Sequence, residues 1–209
     1  MFPVLAAIDV GRVANVGWWH HQGRQGVGGH DLDELCGLLS SDLAKGEQVA
    51  LGFEAPLWVP LAKTVADLGK QRPGEGNRSW GASAGAAVLA CGLQQSTYVL
   101  TEIARASPRA TATIDAVGWH DGDAQLLIWE AFVSGLAKDP HAEDPHVADA
   151  QAAVMELERR LTTGELRSDL EGDRAISIAG LAIHLAGLGH DASLLSTPTL
   201  VIKAPVLAR

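Results

Sequence analysis

The sequence predicts an α/β protein in which a mixed β-sheet is flanked by helices, and three observations support this prediction. An apolar run at 3–9 is typical of a buried strand, and two further strand patterns follow it at 13–21 and 25–27. A helix with clear end signals then separates them from a second apolar run at 48–53. Strands, a helix and a further strand in this order are typical of α/β architecture.

The first three strand patterns are separated by short segments that contain glycine, so hairpin turns would join them into an antiparallel meander. Asp31 is a typical helix N-cap, Glu34 is its capping-box partner three residues later, and Gly46 ends the helical pattern. A strand, a helix and a second strand within one sheet imply a right-handed crossover. If the strands at 3–9 and 48–53 pair, their carboxyl ends lie side by side.

The rest of the chain alternates between helix and strand patterns, without a repeat or a long linker. We therefore expect a single domain over residues 1–209, with an inserted helical subregion at about 57–108. A glycine-rich polar loop at 71–80 lacks the preceding strand that a dinucleotide fingerprint requires. Helices are predicted at 57–70, 82–95, 97–107, 146–161 and 174–188, and strands at 110–116, 125–129 and 199–203.

Composition narrows the class of protein. With 209 residues, 47% of them hydrophobic and 20% charged, the chain is typical of a globular protein that can bury a core. The net charge of −9 argues against a surface that coats nucleic acid non-specifically. We find no leader pattern and no apolar run long enough to cross a membrane, and Cys36 and Cys91 fit core thiols in a reducing compartment. These features predict a cytoplasmic protein without a membrane partner.

Four acidic residues are predicted at the ends of secondary-structure elements. Asp9 and Glu54 each follow an apolar strand pattern and precede a Gly or Pro break. Glu130 ends a later strand, and Asp149 lies in the first turn of a late helix. Hard divalent cations such as Mg²⁺ bind carboxylate oxygens, and two such ions can stabilise both oxygens of an in-line phosphoryl displacement. The set therefore predicts a metal site that handles phosphoesters, although a turn, a solvent-facing strand or the helix dipole would explain single members.

Three further side chains are candidates for this site. His146 lies one helical turn before the last of these acids and could orient the attacking water. Arg72 and Arg78 flank the glycine-rich loop and could bind phosphate as planar forks. A polar helix cap and an ordinary charged surface are the structural alternatives. Trp58 and Trp80 lie near the predicted site and would either pack in the core or stack on a base.

Three short motifs occur in a defined order along the chain. The first strand contains Ile-Asp-Val-Gly, the fourth ends with Gly-Phe-Glu-Ala-Pro, and a late helix contains Asp-Ala-Gln-Ala-Ala. An arginine-containing, glycine-rich loop and a Trp-Glu-Ala strand lie between the last two. This order resembles the ribonuclease-H-like superfamily, and within it an uncharacterised prokaryotic family of predicted RNase-H-like nucleases.

The resemblance spans about residues 3–160 and implies a fold, a metal centre and an activity. The implied sheet has the order 3-2-1-4-5, with strand 2 antiparallel and strands 4 and 5 parallel to strand 1. The implied ligands of Mg²⁺ or Mn²⁺ are Asp9, Glu54 and Asp149, with Glu130 or His146 positioning water. The implied activity is hydrolysis of phosphodiester bonds in nucleic acid. Many relatives carry a second acid in the last helix, so the number of metal ions stays open.

Two other classes of function remain open on the sequence. A non-catalytic or ligand-binding protein of the same fold would keep these acids for structure. An actin-like phosphotransferase also begins with Asp-x-Gly on its first strand, but it needs two such domains around ATP, and 209 residues are too few for both. The sequence does not distinguish DNA, RNA and small phosphoesters as substrates, and it leaves the oligomeric state open.

Overall fold

The computed structural model describes residues 2–76, 79–133 and 135–206, which form strands and helices in alternation. The strands are β1 (Val4–Asp9), β2 (Gly17–Gln22), β3 (Gln25–Gly29), β4 (Val49–Phe53), β5 (Trp58–Pro60), β6 (Ala112–Thr113), β7 (Leu126–Phe132), β8 (Ala175–Ser177) and β9 (Val201–Lys203). The helices are α1 (Leu32–Ala44), α2 (Ser83–Ala106), α3 (Ala116–Asp121), α4 (Pro145–Thr163) and α5 (Ile178–Ala186).

The main sheet has the strand order β3-β2-β1-β4-β7-β6, and β9 pairs with the last three residues of β7. The pairs β1–β2 and β2–β3 are antiparallel, whereas β4 is parallel to β1 and β7 is parallel to β4. The predicted mixed sheet, its antiparallel meander and the pairing of the first and fourth strands are confirmed. Strands β5 and β8 form a separate antiparallel pair.

The predicted order 3-2-1-4-5 is wrong beyond the fourth strand. The strand beside β4 is β7, whereas β6, which comes earlier in the chain, pairs with β7 farther out. The first six residues of β7 are all buried, as expected for a strand between two neighbours. The two-residue β6 is short enough to lie at an edge without inviting further pairing.

The segment after β4 is less helical than predicted. The helix expected at 57–70 is replaced by β5 and a 3-10 turn at Val65–Asp67, because Pro60 cannot donate a helical hydrogen bond. The two helices expected at 82–95 and 97–107 are one continuous helix, α2. Among the described residues, no helix is long and apolar enough to cross a membrane.

Helices cover both faces of the sheet, and strand alternation decides which side chain faces which helix. Helices α1, α2 and α5 pack on one face, against strand residues such as Ile8 and Phe53. Helix α4 packs on the other face, against residues such as Ala7 and Ala50. Because successive strand residues point to opposite faces, Asp9 belongs to the α4 face, two residues after Ala7.

Candidate metal centre

Three of the predicted acids meet at the carboxyl edge of the sheet. Asp9 ends β1 and Glu54 directly follows β4, and the register of these strands pairs Ile8 with Phe53. Strand alternation directs both acids to the α4 face, and α4 contributes Asp149 from near its start. One carboxylate oxygen from each of the three residues lies within 4.8 Å of the other two.

The start of α4 is capped by Asp144 and lies close to the sheet beside a glycine. Asp144 is the N-cap, and its carboxylate accepts hydrogen bonds from the backbone N–H groups of His146 and Val147, each at 3.1 Å. Gly17 pairs with Asp9 in the sheet, and a Cβ atom at Gly17 would lie 2.5 Å from the His146 carbonyl carbon. The glycine therefore permits the close approach that brings the acid of α4 to the strand ends.

The acids repel one another in a poorly solvated setting. Burial raises the pKa of Glu54 well above its ordinary value, the charge of Asp9 raises it further, and Lys138 opposes both. Burial also raises the pKa of Asp149, again against Lys138. Within the described part of the chain, the buried Oε2 atom of Glu54 has no hydrogen-bond partner. Oxygen ligands, mutual repulsion and an unpartnered buried oxygen fit a hard divalent ion such as Mg²⁺ or Mn²⁺.

Two basic side chains also reach the cluster. The Lys138 Nζ atom lies 3.1 Å from Glu54 Oε1 and contacts Asp149 Oδ2. The His146 Nδ1 atom lies 2.5 Å from Asp9 Oδ2, so the structure brings this candidate to the acids. Burial alone would lower the pKa of Lys138, but Glu54 and Asp149 raise it above its ordinary value. Sequence reasoning missed Lys138, because a lone lysine in a polar loop belongs to no recognisable pattern.

Glu130 and Arg72 contact each other and do not join the cluster. Glu130 pairs in register with Phe53, which faces α1 and α2, so its side chain lies on the opposite face from Glu54. Arg72 donates to both carboxylate oxygens of Glu130, at 2.7 and 2.8 Å. It also donates to Glu75 Oε1, from Nη2 at 3.0 Å and from Nε at 3.1 Å.

This buried network argues against the roles predicted for Glu130 and Arg72. The side chain of Arg72 is 0% exposed, so its guanidinium is not accessible to a phosphate. It lies 5.0 Å from the centre of the Trp58 ring and donates to the Trp58 carbonyl oxygen, which keeps Trp58 in the core. Glu130 also accepts from the Leu57 N–H at 2.9 Å. The network ties the segment after β4 to β7. Arg78, the other predicted phosphate ligand, lies outside the described residues.

A cleft of about 410 Å³ adjoins the cluster at Glu54. Its walls include Pro56, Phe132 and the first turn of α2. Trp80 is half-buried and also lines the cleft, so this tryptophan can contact a ligand there. Glu54 lines this cleft, whereas Asp9 and Asp149 do not, so the cleft adjoins the cluster at the end of β4.

Comparison of the chain with models of protein families, with curated proteins and with solved structures finds no match in any of the three. The case for a function therefore depends on the geometry of the site and on the short motifs of the sequence.

Proposed function

We propose that the protein is a divalent-metal-dependent phosphodiesterase of the ribonuclease-H-like type, which hydrolyses phosphodiester bonds of nucleic acid. The observation that carries this proposal is the convergence of Asp9, Glu54 and Asp149 from β1, β4 and α4. The antiparallel meander and the parallel pairs β1–β4 and β4–β7 support it, because the resemblance implies these strand directions, although the strand order beyond β4 differs from the implied one.

The three carboxylates would hold Mg²⁺ or Mn²⁺, since their oxygens are the ligands that these ions prefer. When bound, the ion supplies Lewis-acid stabilisation of the phosphate and a more acidic water. His146 would orient the attacking water and accept its proton. In the tautomer whose Nδ1–H donates to the Asp9 carboxylate, Nε2 would be the atom that accepts this proton. The side chain of His146 is 37% exposed, so solvent and substrate can reach it.

The substrate would enter through the cleft beside Glu54, where Trp80 offers an aromatic wall for a base. The net charge of −9 disfavours binding along a long duplex, because such binding depends on neutralising many phosphates. We therefore favour short or single-stranded nucleic acid as the substrate.

A second candidate is a non-catalytic protein of the same fold, and one contact favours it. Lys138 already bridges Glu54 and Asp149, so a protein cation partly neutralises the cluster. In that case the three acids would contribute to the fold or bind a ligand without hydrolysing it.

Hydrolysis assays with Mn²⁺ and with EDTA separate the two candidates. The substrates are single-stranded DNA, single-stranded RNA, duplex DNA and bis(p-nitrophenyl) phosphate. We expect Mn²⁺-dependent cleavage that falls about 100-fold or more in Asp9→Asn, because a ligand of the ion is lost. The matched control is Asp173→Asn, whose carboxylate is exposed and pairs with Lys63. Equal activity in wild type and Asp9→Asn would reject the catalytic assignment, and no cleavage of any substrate would favour the non-catalytic candidate.

A further inference from the structure

We propose that the centre holds a single divalent ion and that the ammonium group of Lys138 takes the place that a second ion would occupy. This inference rests on the proposed metal-dependent function and specifies its centre. It differs from the two-ion arrangement that several convergent acids suggest, and it assigns a role to a residue without a recognisable motif.

The basic side chains of the site contact only one oxygen of each carboxylate. Lys138 Nζ contacts Glu54 Oε1 and Asp149 Oδ2, and His146 Nδ1 contacts Asp9 Oδ2. One oxygen of each carboxylate is left without a basic partner among the residues that the structure describes. Each carboxylate therefore keeps one oxygen, such as the buried Glu54 Oε2, that a single ion can bind while water and substrate complete its shell.

The charges of the site also favour a single ion. Three ionised carboxylates carry three negative charges, and Lys138 with one divalent ion carries three positive charges, so the set is neutral. A second divalent ion would leave an excess of two positive charges, because Lys138 would remain in contact with two of the ligands. Uncompensated charge is costly in a site where Asp9 and Asp149 are almost fully buried.

Lys138 is less exposed than the other paired lysines of the chain and contacts two acids at once. Its side chain is 36% exposed, whereas the side chains of Lys45, Lys63 and Lys70 in other ion pairs are 60–75% exposed. It contacts two carboxylates from different elements of the fold, Glu54 after β4 and Asp149 on α4. The ammonium group is thus part of the centre, in contrast to a surface lysine with a solvated partner.

The test is the number and affinity of bound Mn²⁺ ions, measured on the EDTA-treated full chain from the electron paramagnetic resonance signal of free Mn²⁺. We expect wild type and Lys138→Arg to bind one ion per chain, since both keep the positive charge. Lys138→Met and Lys138→Gln are expected to bind Mn²⁺ about tenfold or more tightly, because a repelling unit charge a few ångströms away is removed. The control is Lys45→Met, which removes an ion pair with Asp42 at the other edge of the sheet and should match wild type.

The outcomes separate this inference from the proposed function. The role of Lys138 would be overturned if the wild-type chain bound two Mn²⁺ ions. It would also be overturned if Mn²⁺ affinity were unchanged or weaker in both Lys138→Met and Lys138→Gln. Either result would leave a metal-dependent activity intact. One ion with no hydrolysis of any substrate would reject the activity and support the single-ion centre. A wild-type chain that binds no Mn²⁺ would overturn both proposals. Circular dichroism establishes that each variant is folded before it is compared.

Discussion

Replacing Arg72 with methionine tests whether the buried network next to the cleft serves the fold and not the metal centre. The guanidinium donates to Glu130, Glu75 and the Trp58 carbonyl oxygen, and neither it nor the Glu130 side chain is exposed by more than 1%. Methionine preserves most of the length of the side chain, so the main loss is charge compensation for two buried carboxylates. Removing one partner of a buried ion pair costs about 3–5 kcal/mol.

Thermal unfolding followed by circular dichroism measures this loss. For a chain of this size about 1 kcal/mol corresponds to about 2–4 °C in Tm, so Arg72→Met should lower Tm by about 6–20 °C. The matched control is Arg105→Met, which removes an ion pair with Glu102 whose arginine is 69% exposed, and its expected cost is about 1 kcal/mol or less. Mn²⁺ affinity of the folded Arg72→Met variant should equal that of wild type.

Two results would refute this reasoning. A drop in Tm no larger than that of the Arg105→Met control would mean that the network contributes little to the fold. A folded variant with Mn²⁺ affinity as weak as that of Asp9→Asn would mean that Arg72 and Glu130 belong to the centre after all.

Three further predictions concern the centre and its supports. In the folded chain without metal, the pKa of Glu54 lies above its ordinary value. Between these two pKa values the folded chain binds more protons than the unfolded chain. The free energy of unfolding should therefore fall as pH rises through this window. The urea midpoint, measured in EDTA at several pH values, should fall with rising pH in wild type and fall less in Glu54→Gln. An equal dependence on pH in both proteins would contradict the prediction. Gly17→Ala should lower the free energy of unfolding by about 1–3 kcal/mol and weaken Mn²⁺ binding, because the added Cβ would displace the start of α4. Unchanged Mn²⁺ affinity would contradict this prediction. Gly37→Ala, exposed within α1 with open space around it, should instead stabilise the chain by about 0.5–1 kcal/mol and leave metal binding unchanged in the same assays.

The sequence was sufficient to predict the meander, because apolar runs and turn residues determine it locally. The pairing of β1 with β4, and with it the convergence of Asp9 with Glu54, is a long-range feature that the sequence predicted only as a condition and through the family resemblance. The sequence was not sufficient to predict on which face of the sheet the Glu130 side chain lies. Every residue of β7 from Leu126 to Ala131 is buried, so the strand shows no alternation that would tell which face a side chain takes. Lys138 was also missed, because its role arises from a contact across the fold.

Glu54 and Glu130 illustrate what separates an acid of the fold from an acid of the site. Glu54 directly follows β4, and Glu130 lies in β7 beside Phe53, two residues before the strand ends. Both residues line the same cleft, and burial raises the pKa of each. Glu130 is bound at both oxygens by Arg72 and also accepts the Leu57 N–H, whereas Glu54 keeps a buried oxygen without a partner in the described ranges. Glu130→Gln should therefore destabilise the chain in EDTA, since it leaves Arg72 undercompensated, and Glu54→Gln should stabilise it, since it relieves repulsion with Asp9. Opposite signs in paired urea titrations are the expected result, and the same sign for both would remove the distinction on which the metal centre depends.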